Sequence, residues 1–247
     1  MLLSFHNWTD SAIARGRLAA LGGNEIQVWI AKTPADEGEL TVLANLLSPA
    51  EQFRAQQFRV AEPRRQFVFG RALLRQLLGA CKGIAPAALE LSHSLRGKPF
   101  LAQPAGDLRF SLSRSGGLVA IALTRGREVG VDLESMHRLI DWLPVAAHVF
   151  SAHELRELRS LPEPAQKEAF FKGWTCKEAY LKATGEGLTD ALPAIELTLA
   201  PGKEPELRTL PDDPNAVRQW MIRTLPLPPG FTGAVAFKNL PPPLDFP

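Results

Sequence analysis

The sequence predicts an α+β fold made of two similar halves that pack face to face, as a pseudo-dimer with a cleft between them. The S-x-x-E capping box, which opens a helix, occurs at Ser48 and again at Ser151. Phe67 and Phe170 are separated by the same number of residues as the two boxes. Because elements that recur in the same order indicate an internal duplication, and because pockets favour such interfaces, we expect the active site in the cleft.

Length and composition are typical of a globular chain, and they suffice for one large domain or for two modest ones, each with a hydrophobic core. The 247 residues are 45% hydrophobic and carry a formal net charge of +2, which argues against a dedicated nucleic-acid binder. The two cysteines are too few for a disulfide framework or a cysteine-based zinc site. No segment has the pattern of a signal peptide or a membrane span, so we expect a cytoplasmic protein without a membrane partner.

The first half is assigned to residues 1–125. Residues 1–24 show no clear pattern of secondary structure, and the first predicted strand follows them. Proline at the first helical position supports the helix that follows Ser48. The predicted elements are a strand at 25–30, a helix at 49–58, a helix at 63–78 ended by Gly79, a strand at 89–92, a turn at 97–100, and a hairpin of strands 108–112 and 118–124 with a loop at 113–117.

The second half is assigned to residues 126–240, with a boundary near Gly126. It contains a short apolar strand, a connection rich in apolar residues and a long amphipathic helix that Gly185 ends. The predicted elements are a strand at 129–134, an apolar connection at 140–150, a helix from 151, a helix from about 170 to 184, and strands at 195–199, 219–224 and 233–237. Residues 241–247 form a proline-rich tail, which we expect to be disordered or extended and to which we assign no function.

Three carboxylates form the first functional candidate. Asp132 and Glu134 are two residues apart in a predicted strand, so their side chains share one face. Glu178 and Lys182 are four residues apart in the long helix and are therefore neighbours on its surface. Three oxygen donors, completed by water and a phosphate, suit Mg²⁺. We therefore expect Asp132, Glu134 and Glu178 to bind this ion.

Cations of the first half form the second candidate. The loop at 113–117 offers two hydroxyls, a guanidinium and glycine amides, a combination that suits phosphate. Taken singly, this segment is an ordinary turn and the arginines are a solvated helix face. Together with the acids, they suit a nucleotide that carries several phosphates and Mg²⁺. The candidate cations are Arg64, Arg65, Arg71, Lys98 and Arg114.

Several motifs together resemble the 4′-phosphopantetheinyl transferases of the Sfp type. The most specific pair is GVDLE at 130–134 with FFKGWTCKEAYLKATGEGL at 170–188. RRQFVFGRALLR at 64–75, GKP at 97–99 and FSLSRSGG at 110–117 complete the set in the family's order. The resemblance implies a Mg²⁺-dependent enzyme that moves the phosphopantetheine arm of coenzyme A to a serine of an apo acyl or peptidyl carrier protein and releases 3′,5′-ADP. It also implies a pseudo-dimer with coenzyme A in the cleft.

The resemblance assigns roles to individual residues. Asp132, Glu134 and Glu178 match the Mg²⁺ ligands, and Glu178 is also the expected base. Lys177 and Lys182 match lysines near the pyrophosphate, so we count them, with Glu178, as catalytic. The positions that match coenzyme A contacts are Arg64, Arg71 and Lys98, with Ser113 and Arg114 at the 3′-phosphate.

The sequence departs from the family pattern at two positions. Ser111 stands where the family has asparagine, and Arg114 stands where it has histidine. Arginine keeps the positive charge and binds phosphate bidentately, so we expect affinity for coenzyme A to persist and to depend little on pH between 6 and 7.

Two other classes of function are left open by the motifs alone. One is a noncatalytic module that binds coenzyme A or a nucleotide, and the other is a Mg²⁺-dependent nuclease or nucleotidyl enzyme with the same acids. The low net charge counts against the nuclease. Because one chain holds both halves, we expect a monomer whose partners are coenzyme A and a carrier protein, with no nucleic acid.

Overall fold

The computed structural model describes residues 1–8, 21–103, 105–138, 140–187, 192–200, 202–211 and 214–239. The proline-rich tail predicted at 241–247 lies outside these residues. Within them, no helix combines the length and the apolar character that a membrane crossing requires.

The first half is a four-stranded sheet with three helices. The strand order is β1-β2-β6-β5, in which β1 is parallel to β2 and the other pairs are antiparallel. The helices pack on one face of the sheet, where residues such as Phe67, Trp29 and Ile121 form a core. The bounds are β1 Leu2–Asn7, β2 Glu25–Lys32, α1 Glu37–Ala44, α2 Pro49–Gln56, α3 Ala61–Lys82, β3 Glu90–His93, β4 Pro99–Gln103, β5 Leu108–Ser115 and β6 Leu118–Arg125.

The second half repeats the theme with a three-stranded antiparallel sheet in the order β10-β11-β7. Its long helix α6 packs on this sheet around a second core that includes Phe150, Phe170 and Ala236. The bounds are β7 Val129–Ser135, α4 Trp142–Val149, α5 Ala152–Ser160, α6 Glu163–Thr184, β8 Glu196–Leu197, β9 Leu207–Thr209, β10 Trp220–Thr224 and β11 Phe231–Lys238.

The two halves meet through the remaining faces of their sheets. A third core joins Val28 and Ala122 of the first sheet to Val131, Val235 and Phe237 of the second. At one side of this contact β5 lies beside β7. Because β5 carries Arg114 and β7 carries two of the three predicted acids, the junction brings the two functional candidates together. The domain boundary near Gly126 stays a prediction, at a turn where this glycine has φ 66°.

The duplication extends to a buried ion pair in each half. Both capping boxes form, with Glu51 and Glu154 as their glutamates, and both long helices have 22 residues. Glu51 accepts a hydrogen bond from Arg75 of α3, and Glu154 accepts one from Lys177 of α6, each at 2.7 Å. Each capping glutamate therefore also anchors its half's long helix to the helix before it.

The structure differs from the predictions in several elements. The N-terminal strand β1 and helix α1 were missed, and the apolar connection at 140–150 contains helix α4. Helix α3 runs past Gly79 and ends at Gly83, which has φ 66°. A Cβ at Gly79 would lie 2.6 Å from the carbonyl oxygen of Ile84, so Gly79 serves this close contact rather than ending the helix. The strand predicted at 195–199 is reduced to β8.

The largest correction concerns the predicted loop at 113–117. Residues 113–115 belong to strand β5, and only Gly116 and Gly117 turn, both with positive φ. Side chains along a strand alternate between its faces, so Ser113 and Arg114 point in opposite directions. The expected phosphate loop is therefore a strand, from which Ser113 and Arg114 reach the same cavity by opposite faces.

Candidate active site

A close contact between β7 and α6 brings the acids together. Gly130 lies directly on the backbone of α6, so a Cβ there would collide with Ala179 and Ala183. The absence of a side chain lets β7 approach the helix, and Asp132 and Glu178 then line one cavity with Glu134. The strand and the helix thus present the three carboxylates that the sequence predicts.

Asp132 is buried and uses its two oxygens differently. Its Oδ1 accepts hydrogen bonds from the Ser113 hydroxyl at 2.7 Å and from the Lys182 ammonium at 2.6 Å. Its Oδ2 is buried without a hydrogen-bond partner among the described residues. Because an unpaired buried carboxylate oxygen is costly, Oδ2 marks a position where a ligand would be stabilised.

Glu178 has a buried oxygen of the same kind. Its Oε1 has no hydrogen-bond partner in the part of the chain that the structure describes. Burial is the largest of the causes that raise the pKa of this carboxyl to about 7; the charges of Asp132 and Glu134 add to the shift, and Lys182 opposes it. Glu178 is therefore close to half protonated at neutral pH and can accept or release a proton there.

Glu134 completes the group at the cavity wall. Its Oε2 accepts a hydrogen bond from Ser115 at 2.6 Å, and its Oε1 pairs with Arg138 at 3.0 Å. Arg138 is mostly exposed and follows Glu134 by four residues, so this pair is a surface contact that a cation can replace. Glu134 is thus held by one strong and one exchangeable contact.

The donor set fits a hard divalent cation that also takes water or phosphate oxygens. Asp132 and Glu178, which line one cavity, each have a buried carboxylate oxygen without a hydrogen-bond partner among the described residues. As they lie, no three His, Cys, Asp or Glu side chains among the described residues form a complete ligand group. A partial set is what Mg²⁺ uses, since it keeps several waters and binds through one or two carboxylates plus substrate phosphates.

Two adjoining cavities surround these acids. One, of about 370 Å³, runs from Arg114 to the three carboxylates and Lys182. The other, of about 270 Å³, runs from Glu178 and Lys182 to the turn at 96–98. Together they form a cleft with first-half cations at two ends and second-half acids in the middle.

Three guanidinium groups surround one aromatic ring at the first cationic end. Arg54, Arg71 and Arg114 lie 5.6, 5.8 and 5.2 Å from the centre of the Phe67 ring. Burial, with the charges of Arg71 and Arg54, lowers the pKa of Arg114 to about 10. Arg71 is itself buried, 3.6 Å from Glu51, and its Nε has no hydrogen-bond partner among the described residues. This cluster is short of negative charge.

Lys98 forms the other cationic end. Its ammonium lies 3.2 Å from Glu128 and donates to the carbonyl oxygen of Ala183 at the end of α6. Burial lowers the pKa of Lys98, and Glu128 opposes that shift. Lys98 therefore links the first half to the last turn of the long helix beside the second cavity.

Comparison with known proteins places both halves in one family. Residues 128–230 match the model of the 4′-phosphopantetheinyl transferase superfamily, and residues 32–125 match that of the 4′-phosphopantetheinyl transferase N-terminal domain. The 4′-phosphopantetheinyl transferase HetI of Nostoc sp. is 38% identical over 190 residues, which are 76% of this chain and 80% of that protein. The chain belongs to the 4′-phosphopantetheinyl transferase superfamily. It is therefore an enzyme of the transferase class that the motifs indicate.

A second relative agrees with this assignment. The 4′-phosphopantetheinyl transferase psf-1 of Bacillus pumilus is 30% identical over 210 residues, 83% of this chain and 87% of that protein. A solved holo-[acyl-carrier-protein] synthase from Neisseria meningitidis aligns with 45% of this chain and 96% of its own, at 19% identity and a TM-score of 0.37.

The structure brings most of the predicted transferase residues to the cleft. The acids Asp132, Glu134 and Glu178 share a cavity with Lys182 and Arg114. Arg71 lies in the arginine cluster, and Lys98 lies at the second cavity. Their roles in binding and catalysis stay predictions, but their positions suit those roles.

Lys177 does not lie where the sequence predicts, which is beside the pyrophosphate. Its side chain is fully buried in the second half, where the ammonium donates to Glu154 and to the carbonyl oxygens of Val149 and Leu192. Burial lowers the pKa of Lys177, and Glu154 opposes the shift. Lys177 follows directly before Glu178, and adjacent helix residues do not face the same way. It therefore serves the scaffold and does not face the leaving group.

Arg64 and Ser113 also differ from expectation. Arg64 is exposed and lines a separate depression with Leu40 and Thr41 of α1, so it does not reach the cleft. The Ser113 hydroxyl is engaged by Asp132 and Lys182, on the face of β5 opposite to Arg114, and not by the arginine cluster. Arg65 pairs with Glu37 and Glu62 instead of facing the cleft.

Sequence reasoning missed Arg54, and it placed the Ser115 hydroxyl in a phosphate-binding loop. Arg54 joins the cluster because α2 packs beside α3, a tertiary contact that no local pattern reveals. Ser115 was read as part of a loop, although the period-two spacing of Ser111, Ser113 and Ser115 was a signal for a strand face. That spacing predicts that the strand continues to Ser115 and that the three serine side chains share one of its faces.

Proposed function

We propose that this protein transfers the 4′-phosphopantetheine group of coenzyme A to a serine of an apo carrier protein, with Mg²⁺, and releases 3′,5′-ADP. One observation carries the proposal. Cations from the first half and carboxylates from the second half line the same cleft. A substrate with several phosphates would neutralise the cations, and a divalent cation between its phosphates and the acids would satisfy both sides.

The cationic ends suit the nucleotide portion of coenzyme A. Arg54, Arg71 and Arg114 repel one another, so a phosphate dianion among them would relieve that repulsion and would accept a hydrogen bond from Arg71 Nε. We assign the 3′-phosphate to this cluster. Lys98, at the second cavity, is assigned to the rest of the nucleotide.

Lys182 and the three acids are assigned to the pyrophosphate of coenzyme A, whose negative charge must be neutralised. A magnesium ion bound there supplies positive charge that stabilises the departing phosphate oxygens. Asp132 and Glu178 would hold it through the oxygens that lack protein partners, with Glu134 beside them. Lys182 is fixed on Asp132 Oδ1 and is half-exposed to the cavity, so it can steady the charge that develops on the 3′,5′-ADP leaving group.

The transfer replaces one phosphorus–oxygen bond by another. The carrier serine oxygen bonds to the phosphorus that bears pantetheine, the bond from that phosphorus to the bridging oxygen breaks, and the oxygen leaves with 3′,5′-ADP. The serine proton passes to a base, and we assign that role to Glu178, directly or through water, because its carboxylate lines the cavity beside Asp132 and Lys182. Alignment and charge neutralisation then supply most of the rate.

The partners follow from this reaction. The chain acts on coenzyme A and an apo acyl or peptidyl carrier protein, whose pathway the cleft does not specify. We also propose a monomer, because both walls of the cleft belong to one chain, and a cytoplasmic location, which suits the two free cysteines Cys81 and Cys176.

A mass measurement tests the proposal. The protein is mixed with an apo carrier protein, coenzyme A and Mg²⁺, and the carrier is weighed by mass spectrometry. A gain of one phosphopantetheine on the carrier is the expected result. An unchanged carrier together with tight binding of coenzyme A would instead support the noncatalytic module. A panel of carriers ranked by kcat/KM then identifies the preferred class.

A further inference from the structure

Three alternate serines of β5 bind the backbone of β7 at the junction of the halves. Ser111, Ser113 and Ser115 are all buried, and each hydroxyl oxygen accepts a hydrogen bond from a backbone N–H of the neighbouring strand. These bonds come from Val131 at 3.0 Å, Leu133 at 3.3 Å and Ser135 at 3.1 Å. The period of two places all three hydroxyls on the same face of β5. We call this set the serine ladder.

Two members of the serine ladder also donate to a carboxylate. Ser113 donates to Asp132 Oδ1 at 2.7 Å, and Ser115 donates to Glu134 Oε2 at 2.6 Å. A serine has one hydroxyl proton, so these bonds fix where each proton points. Ser111 makes the same kind of backbone contact but neighbours Gly130 and Val131, which carry no carboxylate. Ser111 therefore serves as a control for Ser113 and Ser115, because it makes the backbone contact without a carboxylate contact.

The consequence is a fixed orientation of each carboxylate. The bond from Ser113 occupies Asp132 Oδ1, and Oδ2 of the same carboxylate is the atom without a partner. On Glu134, Ser115 holds Oε2, while Oε1 has only the exchangeable contact with Arg138. In both cases a first-half hydroxyl holds one oxygen and leaves the other for a ligand. Hydrogen bonds to liganding carboxylates orient them and raise metal affinity.

We propose that Ser113 and Ser115 are positioning residues, through which the first half orients the metal-binding carboxylates of the second half. This inference rests on the proposed Mg²⁺ site. It assigns to β5 a function in cation binding in addition to its packing against β7. Lys182 shares Asp132 Oδ1 with Ser113, and it also donates to the Ser113 hydroxyl at 3.1 Å. Loss of the hydroxyl would therefore leave Asp132 with Lys182 alone and free to rotate.

The test compares alanine variants along the ladder. Ser113→Ala and Ser115→Ala each remove a backbone contact and a carboxylate contact, whereas Ser111→Ala removes only a backbone contact. Affinity for Mn²⁺, as the probe, is measured by electron paramagnetic resonance of the free ion with the full chain and saturating coenzyme A. Urea unfolding of each variant measures the loss from the shared backbone contact.

We expect Ser113→Ala to weaken Mn²⁺ binding by about tenfold or more, and Ser115→Ala by a smaller factor, because Glu134 is more exposed. Ser111→Ala should lower the urea midpoint to a similar extent but change Mn²⁺ affinity by less than about threefold. Ser113→Thr keeps the hydroxyl and should restore most of the affinity.

Two results would overturn the inference, and they are distinguishable. If the unaltered chain binds Mn²⁺ no better than coenzyme A alone does, the metal site itself is wrong and the inference fails with it. If the unaltered chain binds Mn²⁺ but Ser113→Ala and Ser115→Ala bind it as well as Ser111→Ala does, the serines only join the strands. In that case the proposed function stands without the positioning role.

Discussion

The two halves share a scaffold but differ in the charge that they present to the cleft. In each half a capping-box glutamate binds a cation of the long helix, with Arg75 in the first half and Lys177 in the second. Around these equal pairs, the first half presents an arginine cluster and the second half presents three acids. The ion pair that occurs in both halves stabilises the fold. The candidate site is formed by the residues in which the two halves differ.

The repeated ion pairs also explain why a lysine is present at position 177, next to Glu178. Arg75 donates to the carbonyl oxygens of Pro86 and Leu89 as well as to Glu51, and Lys177 donates to two carbonyl oxygens as well as to Glu154. The two cations therefore satisfy equivalent sets of acceptors. A lysine that lies beside the predicted catalytic glutamate in sequence is thus explained by the fold of its half.

The largest expected effect falls on the side of function. Glu178→Gln removes the charge that would hold the cation and the group that would accept the serine proton, and it keeps the size of the side chain. We expect kcat for carrier modification to fall by about 10³-fold or more, with an unchanged fold. Carrier mass against time measures the rate, and circular dichroism checks the fold. A rate close to that of the unaltered chain would refute the role of Glu178.

The next effect falls on the scaffold. Lys177→Met leaves Glu154 buried without its counter-ion, so we expect a loss of about 3–5 kcal/mol in the free energy of unfolding. The double variant Lys177→Met with Glu154→Leu should recover much of that loss, because no buried charge is left unpaired. Urea unfolding measures both variants.

The matched variant of the first half is Arg75→Met. Glu51 is slightly exposed and also lies 3.6 Å from Arg71, so this change should cost less than Lys177→Met. If Lys177→Met left stability unchanged and abolished turnover, Lys177 would be catalytic, as the motif predicts, and would not be the structural equivalent of Arg75.

A smaller effect is expected at the arginine cluster. Arg114→Ala should weaken coenzyme A binding by about 10- to 100-fold, through loss of a charge-assisted contact with the 3′-phosphate. Binding of 3′-dephospho-coenzyme A, measured by calorimetry, should change much less. Equal losses for the two ligands would place the 3′-phosphate elsewhere in the cleft.

The smallest effect is a pH dependence of stability. Because burial raises the pKa of Glu178 to about 7, its contribution to stability is fully present below its ordinary value of 4.5 and is lost as the pH rises through 7. Without metal, Glu178→Gln should therefore gain several degrees in Tm over the unaltered chain as the pH rises from 4.5 to 8. Differential scanning calorimetry in a chelator measures this difference. A difference that is constant with pH would show that burial does not perturb this carboxyl.

Local patterns predicted the frame of the site but not its details. Both capping boxes, strand β7 and the end of α6 at Gly185 follow from short-range chemistry, and they define the elements that carry Asp132 and Glu178. The two acids meet only because β7 packs on α6 at Gly130, which is a tertiary contact. The orientation of Lys177 away from Glu178 also follows from the helical period, since adjacent residues of a helix face different ways. Arg54 and the partners of the serine ladder depend on how helices and strands pack across long sequence separations, so no window of the sequence contains them.

The most direct test of the central claim is a carrier-mass assay with and without the divalent cation. Apo carrier protein, coenzyme A and the unaltered chain are incubated in excess Mg²⁺ or in a chelator, with Glu178→Gln as the parallel control. The account predicts one phosphopantetheine per carrier with Mg²⁺, and little or none in the chelator or with Glu178→Gln. Transfer at equal rates under all three conditions would contradict a cleft in which second-half acids and a cation complete the site formed by first-half cations.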